Sequence, residues 1–221
     1  MIPFENIKTI FFDYDGTLHN SIKIYAAAFR KAYAYLVENG YAEEKNWTDK
    51  DISYWLGFNP SDMWRSFMPG LEDEIREKCS NIIGEEMTSL IEQGKPKLYD
   101  GALEVLAFLK AKGIHLVFIS NCKVYYRDCQ SKLFHLDRYF EELACSEEYG
   151  FIPKYEILKK IKDRYPQEML MIGDRKQDIE AGKKNNIYTI GCSYGFLTKG
   201  ELDEADMLID NILDLKELFN F

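Results

Sequence analysis

The chain has 221 residues, of which 46% are hydrophobic and 29% are charged, a composition typical of a globular protein with a substantial core. A formal net charge of −9 argues against general nucleic-acid binding, which requires Lys and Arg patches that neutralise phosphates. The N-terminal residues lack the apolar stretch of a secretory signal, and no segment approaches the ~18 apolar residues of a membrane-spanning helix. The five cysteines have no close-paired spacing, so we expect reduced thiols in a cytoplasmic protein and no zinc site.

The first half of the chain predicts one strand followed by helices. The apolar run 7–12 indicates a buried strand, and Ser21 is a candidate cap for a helix that ends near Gly40. The pattern then stays helical and poor in strands as far as residue 93. The candidate helices in this stretch span 49–56, 60–67 and 72–91.

The second half alternates between helices and strands. Candidate helices span 100–112, 125–134, 154–164 and a segment that ends near 185, and candidate strands span 114–119, 143–145, 169–173, 187–191 and 207–209. This alternation predicts an α/β fold with a parallel sheet and helices on both faces. We expect a Rossmann-like core formed by 1–17 and 98–221, with 18–97 inserted as an α-helical cap. Ligands of such sheets bind beyond the carboxyl ends of the strands.

Two aspartates follow the first predicted strand. Asp13 and Asp15 stand two residues apart, so strand alternation would direct both side chains to the same side. Like charges repel and lose hydration when buried, so such a pair needs a cation or a shared proton. Gly16 then permits a sharp turn past a ligand. Taken alone, the run 13–16 fits an ordinary turn equally well.

Two further aspartates follow the predicted strand 169–173. Asp174 and Asp178 are four residues apart at a helix start and therefore share a face. Asp178 alone fits a solvated acid that favours the helix dipole. Combined with Asp13 and Asp15 at a neighbouring strand end, the four carboxylates would converge on a hard cation, most simply Mg²⁺.

Ser120 and Asn121 follow the strand 114–119, and Pro153 and Lys154 open a later helix. A serine after a strand is often a cap or turn residue, and a lone lysine usually lies on the surface. The position of Lys154 at the start of a helix, on the ligand side of the sheet, favours contact with a phosphate.

The histidines suggest no nucleophilic triad. They are scattered, and we expect structural or exposed positions for His19, His115 and His135. The chain also lacks the glycine-rich loops of nucleotide and dinucleotide sites.

Taken in order, four runs of the chain resemble the four motifs of the haloacid dehalogenase superfamily. These runs are 13–18, 120–121, 153–154 and 173–178. The likeness covers nearly the whole chain and is greatest to the phosphoglycolate-phosphatase-like group, which has a helical cap after the first motif. Two departures are Tyr155, where many relatives have proline, and the bulky pair Arg175 and Lys176, where small residues are usual.

The resemblance implies a role for each motif residue. Asp13 would attack phosphorus and carry an aspartyl-phosphate. Asp15 would protonate the leaving oxygen and then deprotonate the hydrolytic water. Ser120, Asn121 and Lys154 would hold the phosphoryl oxygens.

The resemblance also implies a Mg²⁺ site and a cap residue that selects the substrate. The ion would lie on Asp13, the main-chain carbonyl of Asp15 and Asp174, with Asp178 ordering its surroundings. We expect Arg65 of the cap to contact an anionic leaving group, although an exposed arginine on an amphipathic helix explains it equally well.

The sequence therefore predicts a Mg²⁺-dependent phosphatase of a small phosphorylated metabolite, without nucleic-acid or membrane partners. Two alternatives stay open. One is a sugar-phosphate mutase of the same superfamily, and the other is a non-catalytic receiver-like module that is switched by phosphorylation. Phosphoglycolate, pyrophosphate, nucleoside monophosphates and sugar phosphates all fit as substrates.

Overall fold

The computed structural model describes residues 2–220, and the chain divides into two compact units. The units are Met1–Asn20 with Leu98–Phe221, and Ser21–Lys97. The assignment of a catalytic core to 1–17 and 98–221, and of a cap to 18–97, stays a prediction of what these units do.

The unit Ser21–Lys97 is helical. Its helices are α1 (Ile22–Glu38), α2 (Asp49–Ser53), α3 (Pro60–Phe67) and α4 (Asp73–Glu92). Thr48 and Asn59 cap α2 and α3, because each side-chain oxygen accepts a backbone N–H three residues ahead. The rings of Phe29, Trp47 and Phe67 pack with centroids 5.2–5.7 Å apart. These aromatic residues are thus part of the packing of this unit.

The other unit is built on a six-stranded sheet. Its strands are β1 (Thr9–Phe12), β2 (His115–Ser120), β3 (Glu142–Cys145), β4 (Met169–Gly173), β5 (Tyr188–Cys192) and β6 (Met207–Ile209). All neighbouring strands are parallel, in the order β3-β2-β1-β4-β5-β6. Phe12 of β1 is level with Phe118 of β2 and with Ile172 of β4. The predicted α/β fold with a Rossmann-like parallel sheet is confirmed.

Helices cover both faces of this sheet. They are α5 (Ala102–Ala111), α6 (Val124–Phe134), α7 (Lys154–Ile161), α8 (Lys176–Lys184) and α9 (Asp214–Leu218), with 3₁₀ turns at Phe4–Asn6, Leu136–Arg138, Ser146–Tyr149 and Lys162–Arg164. Ile10 and Phe12 of β1 join a core cluster with α5 and α9, whereas Phe11 joins a second cluster with α7 and α8. This alternation explains why Ile10, Phe11 and Phe12 are all apolar: each of the two faces of the strand is buried.

The differences from the predicted elements are small and local. The helix expected at 49–56 ends at Ser53, and the helix expected at 154–164 becomes 3₁₀ after Ile161. The five-residue α9 was not predicted, because it is too short to show helical periodicity. All five cysteines are free, and within residues 2–220 no helix is long and apolar enough to span a membrane.

Candidate active site

Three adjacent strands deliver polar residues to one edge of the sheet. Asp13 follows β1, and its N–H still donates to Ile172 O over 2.9 Å, so the β1–β4 ladder extends to this residue. Ser120 is the last residue of β2, and Asp174 follows β4. All three side chains are buried. The carboxyl ends of the parallel strands therefore bring all three residues to the same edge of the sheet.

Asp13, Asp174 and Asp178 form a buried acidic cluster. Each offers a carboxylate oxygen within 4.8 Å of the other two. Lys154, the first residue of α7, donates from Nζ to Asp13 Oδ1 over 2.6 Å and to Asp178 Oδ1 over 2.5 Å. The lysine side chain is only 3% exposed. One ammonium group cannot balance three carboxylates, so an excess of two formal negative charges is left in a buried place.

The pKa values reflect this excess of negative charge. Burial, reinforced by Asp178, raises the pKa of Asp13 to about 7. Burial and the Asp13 carboxylate raise the pKa of Asp174 well above its usual value. Burial alone would lower the pKa of Lys154, but the carboxylates of Asp13 and Asp178 raise it above its usual value. A cluster of carboxylate oxygens that lacks positive charge fits a hard divalent cation such as Mg²⁺.

Two glycines leave room for the Asp174 carboxylate. A Cβ on Gly16 would lie 2.2 Å from Asp174 Oδ2, and one on Gly195 would lie 2.2 Å from Asp174 Cβ. Gly16 also has φ +91°, a conformation that favours glycine. The N–H of Phe196 donates to Asp174 Oδ2 over 2.6 Å. Close backbone on both sides fixes the position of this carboxylate.

Asp178 serves two structural purposes at once. Its Oδ2 accepts the N–H of Arg175 over 2.9 Å, which caps the N-terminus of α8. Its Oδ1 accepts from Lys154. Asp178 therefore lies at the helix start and in the acidic cluster, but it is buried, so the expectation of a solvated acid is wrong.

The side chain of Asp15 lies outside the acidic cluster. Its Oδ1 accepts the hydroxyl of Tyr126 over 2.7 Å and lies 3.2 Å from His19 Nδ1. The turn after Tyr14, whose carbonyl accepts the N–H groups of residues 17–19, ends the strand alternation that would have kept Asp15 beside Asp13. Three carboxylates therefore meet within residues 2–220, and the expected convergence of four is not observed.

The sequence reasoning missed several residues that contact these aspartates. Thr17 Oγ1 lies 3.3 Å from Asp13 Oδ2 and 3.4 Å from Asp174 Oδ1. His19 is fully buried and contacts Asp15, whereas the sequence suggested only a structural or exposed position. The signal for His19 was its spacing of four residues from Asp15, but a turn of this kind cannot be read from spacing alone.

The remaining predicted residues lie in different surroundings. Ser120 is 2% exposed, and its hydroxyl accepts the N–H of Cys122 over 3.3 Å. The carbonyl of Asn121 accepts the hydroxyl of Ser146 over 2.8 Å. Arg65 lies on α3 with its side chain 71% exposed. Its role in binding an anionic group stays a prediction.

Comparison with known proteins gives a family and a set of relatives. A family model described as haloacid dehalogenase-like hydrolase matches residues 10–192. The pyrophosphatase PpaX of Bacillus mycoides (strain KBAB4) is 24% identical over 215 residues, which cover 95% of each chain.

Solved structures share the fold at low sequence identity. The structure of CbbY from Rhodobacter sphaeroides in complex with phosphate superimposes with a TM-score of 0.78 at 18% identity, covering 97% of this chain and all of its own (100%). A predicted phosphoglycolate phosphatase from Haemophilus somnus 129pt superimposes with a TM-score of 0.76 at 20% identity, covering 96% of this chain and 97% of its own.

Proposed function

Because this chain belongs to the haloacid dehalogenase-like hydrolase family, we propose that it is a Mg²⁺-dependent phosphatase of a small-molecule phosphomonoester. The observation that carries the proposal is the buried acidic cluster of Asp13, Asp174 and Asp178 with the Lys154 ammonium between two of its members. Phosphoryl transfer depends mainly on positioning and on charge neutralisation. A relative named a pyrophosphatase and a structural neighbour named a predicted phosphoglycolate phosphatase support a hydrolase of small phosphate compounds.

The first step uses Asp13 as the nucleophile. One of its carboxylate oxygens attacks phosphorus, the bond to the leaving oxygen breaks, and an aspartyl-phosphate forms. Lys154 Nζ lies 2.6 Å from Asp13 Oδ1, and this proximity supports a role for Lys154 in holding a phosphoryl oxygen as the bond forms. Ser120 and Asn121, at the end of the neighbouring strand β2, would bind other phosphoryl oxygens.

The second step uses water. Asp15 gives a proton to the leaving oxygen in the first step, and then takes a proton from the water that hydrolyses the aspartyl-phosphate. Asp13, Asp174 and the main-chain carbonyl of Asp15 would hold Mg²⁺, and Asp178 would order the surroundings of the ion. The bound ion would supply the positive charge that the buried cluster lacks and would neutralise the phosphoryl oxygens.

The substrate belongs to the small phosphorylated metabolites. PpaX is named a pyrophosphatase, so pyrophosphate belongs in a test panel beside phosphoglycolate, sugar phosphates and nucleoside monophosphates. The net charge of −9 disfavours nucleic acid as a partner. A cytoplasmic setting stays a prediction that rests on the free cysteines.

Phosphate release from this panel, with Mg²⁺ and with a chelator, tests the proposal. Asp13→Asn preserves the shape of the side chain and removes the nucleophile, so phosphate release should fall to background. Asp163→Asn is the matched control, because Asp163 is exposed and should behave as wild type. Turnover that survives the Asp13 change would refute the nucleophile, and turnover insensitive to chelation would refute the metal. An isomerised product with little free phosphate would instead support the mutase alternative.

A further inference from the structure

Two side chains contact the Asp15 carboxylate. Both come from residues that lie outside the four motif runs and that were given no role in the reaction. Tyr126, on α6, donates its hydroxyl to Asp15 Oδ1 over 2.7 Å. His19 Nδ1 lies 3.2 Å from the same oxygen and 3.0 Å from the Tyr126 hydroxyl. The side chain of Asp15 is 17% exposed, whereas that of His19 is fully buried. Both contacts fall on one oxygen of the carboxylate.

We propose that Tyr126 and His19 are positioning residues that occupy Oδ1 of Asp15 and leave Oδ2 as the oxygen that gives and takes the proton. The inference rests on the proposed phosphatase function, in which Asp15 is the acid and the base.

The hydrogen positions follow from donor counting. A tyrosine hydroxyl has one hydrogen, and here it is directed to Asp15 Oδ1. The contact between His19 Nδ1 and the same hydroxyl therefore needs its hydrogen from the imidazole. This places a hydrogen on Nδ1 of His19, shared between the tyrosine oxygen and Asp15 Oδ1. Two donors thus converge on Oδ1, where an added proton would displace one of them.

Further contacts surround this arrangement. His19 stacks on the ring of Tyr14, with centroids 5.2 Å apart and an angle of 22° between the planes. Tyr14 donates its hydroxyl to Gln130 Oε1 over 2.9 Å. Gln130 is four residues after Tyr126 on α6 and therefore on the same face of that helix. One helix face thus contacts the turn that carries Asp15 at two points.

The proton transfers can be written with Oδ2 in both directions. In the first step, Asp13 attacks phosphorus, the leaving oxygen keeps the electron pair of the broken P–O bond, and it takes the proton from Asp15 Oδ2. In the second step, a water oxygen attacks phosphorus, the bond to Asp13 breaks, and the water proton passes to Asp15 Oδ2. Tyr126 and His19 give up no proton in either step.

The dependence of the rate on the leaving group tests the proposal. The substrates are aryl phosphates ranging from 2,4-dinitrophenyl phosphate, whose phenolate leaves without protonation, to phenyl phosphate, whose phenolate needs a proton. Tyr126→Phe should lower kcat/KM for phenyl phosphate by about tenfold or more, because general acid catalysis contributes about 10²–10⁴-fold. For 2,4-dinitrophenyl phosphate the value should stay near wild type. If the role of Tyr126 were purely structural, the substitution would lower kcat/KM for both substrates alike.

The chain offers a matched control for this deletion. Tyr165 also donates its hydroxyl to a carboxylate oxygen, Glu142 Oε2, over the same 2.7 Å. Tyr165→Phe should retain the wild-type pattern across the series. His19→Phe preserves a ring against Tyr14 and removes the second donor, and it should reproduce the selective loss if Tyr126→Phe does not fold.

The outcomes separate the two proposals. An equal loss for all leaving groups, or no loss, in folded variants of an active enzyme would overturn the positioning role alone. Wild-type protein that releases no phosphate from any ester would overturn the phosphatase function and this role with it. A selective loss in Tyr126→Phe, with Tyr165→Phe unchanged, supports the assignment.

Discussion

Gly195→Ala tests whether Asp174 is held as the structure shows. Gly195 does not have a positive φ, so an alanine fits the backbone there and the effect comes from contacts. Its Cβ would lie 2.2 Å from Asp174 Cβ and 2.4 Å from Oδ2. The loop or the aspartate must move, and the hydrogen bond from Phe196 N to Asp174 Oδ2 lengthens or breaks.

The expected loss of stability follows from these contacts. Overpacking a buried site costs about 1–3 kcal/mol, and losing an amide hydrogen bond to a charged group costs about 1.5–3 kcal/mol. One displacement causes both effects, so we expect a combined loss of about 2–4 kcal/mol rather than their sum. For a chain of this size the midpoint of thermal unfolding would fall by about 5–15 °C. Movement of Asp174 should also raise the Mg²⁺ concentration for half-maximal phosphate release by about 10–100-fold.

Circular dichroism melts and Mg²⁺ titrations of phosphate release measure the two effects. Gly84→Ala is the matched control, because Gly84 lies inside α4 with nothing within 4 Å of an added Cβ. There the same change should stabilise the protein by about 0.5–1 kcal/mol. A Gly195→Ala protein with the wild-type melting midpoint and the wild-type response to Mg²⁺ would refute the close backbone contact with Asp174.

Two further predictions concern the charges of the cluster. In chelated protein, Lys154→Met leaves buried carboxylates without their ammonium partner and should lower the free energy of unfolding by about 3–5 kcal/mol. Lys160→Met, at an exposed position of the same helix, should change it by less than about 0.5 kcal/mol; equal effects of the two changes in urea unfolding would contradict the ion pairs. The second prediction concerns pH: burial raises the pKa of Asp13 from its ordinary value of 3.8 to about 7 in the folded protein. Between these values the folded state therefore holds a proton that the unfolded state has lost. The free energy of unfolding of chelated protein should therefore fall as pH rises from about 4 to about 7, by on the order of 3 kcal/mol. The raised pKa of Lys154 acts only at alkaline pH. Asp13→Asn should reduce the slope of the urea-unfolding profile in this window, although the raised pKa of Asp174 leaves part of that slope in place. Profiles of equal slope would contradict the assigned burial of charge.

The sequence predicted most of the fold because its patterns are local. The runs 10–12 and 169–172 are apolar at every position, and glycines end several of the predicted helices. A parallel sheet then brings strand ends together wherever they lie in the chain. For that reason Asp13 and Asp174, which are far apart in sequence, could be expected at one place from the sequence alone.

What could not be predicted depends on turns and on the faces of helices. Strand alternation directed Asp15 to the same side as Asp13, but the turn at Gly16 ends the strand before that rule applies. Helical periodicity predicts that Tyr126 and Gln130 share a face. It does not say which loop that face contacts, because the packing of α6 is decided by residues distant in the chain.

The alternation of side chains along β1 limits how this gene can change. Deleting or inserting one residue between Thr9 and Phe12 would exchange the side chains that enter the two core clusters. The same shift would draw Asp13 back from, or push it past, the level of Asp174. A change in the length of this strand would therefore disrupt both the core packing and the position of Asp13. Loops such as the one around the exposed Gly40 tolerate insertions and deletions better.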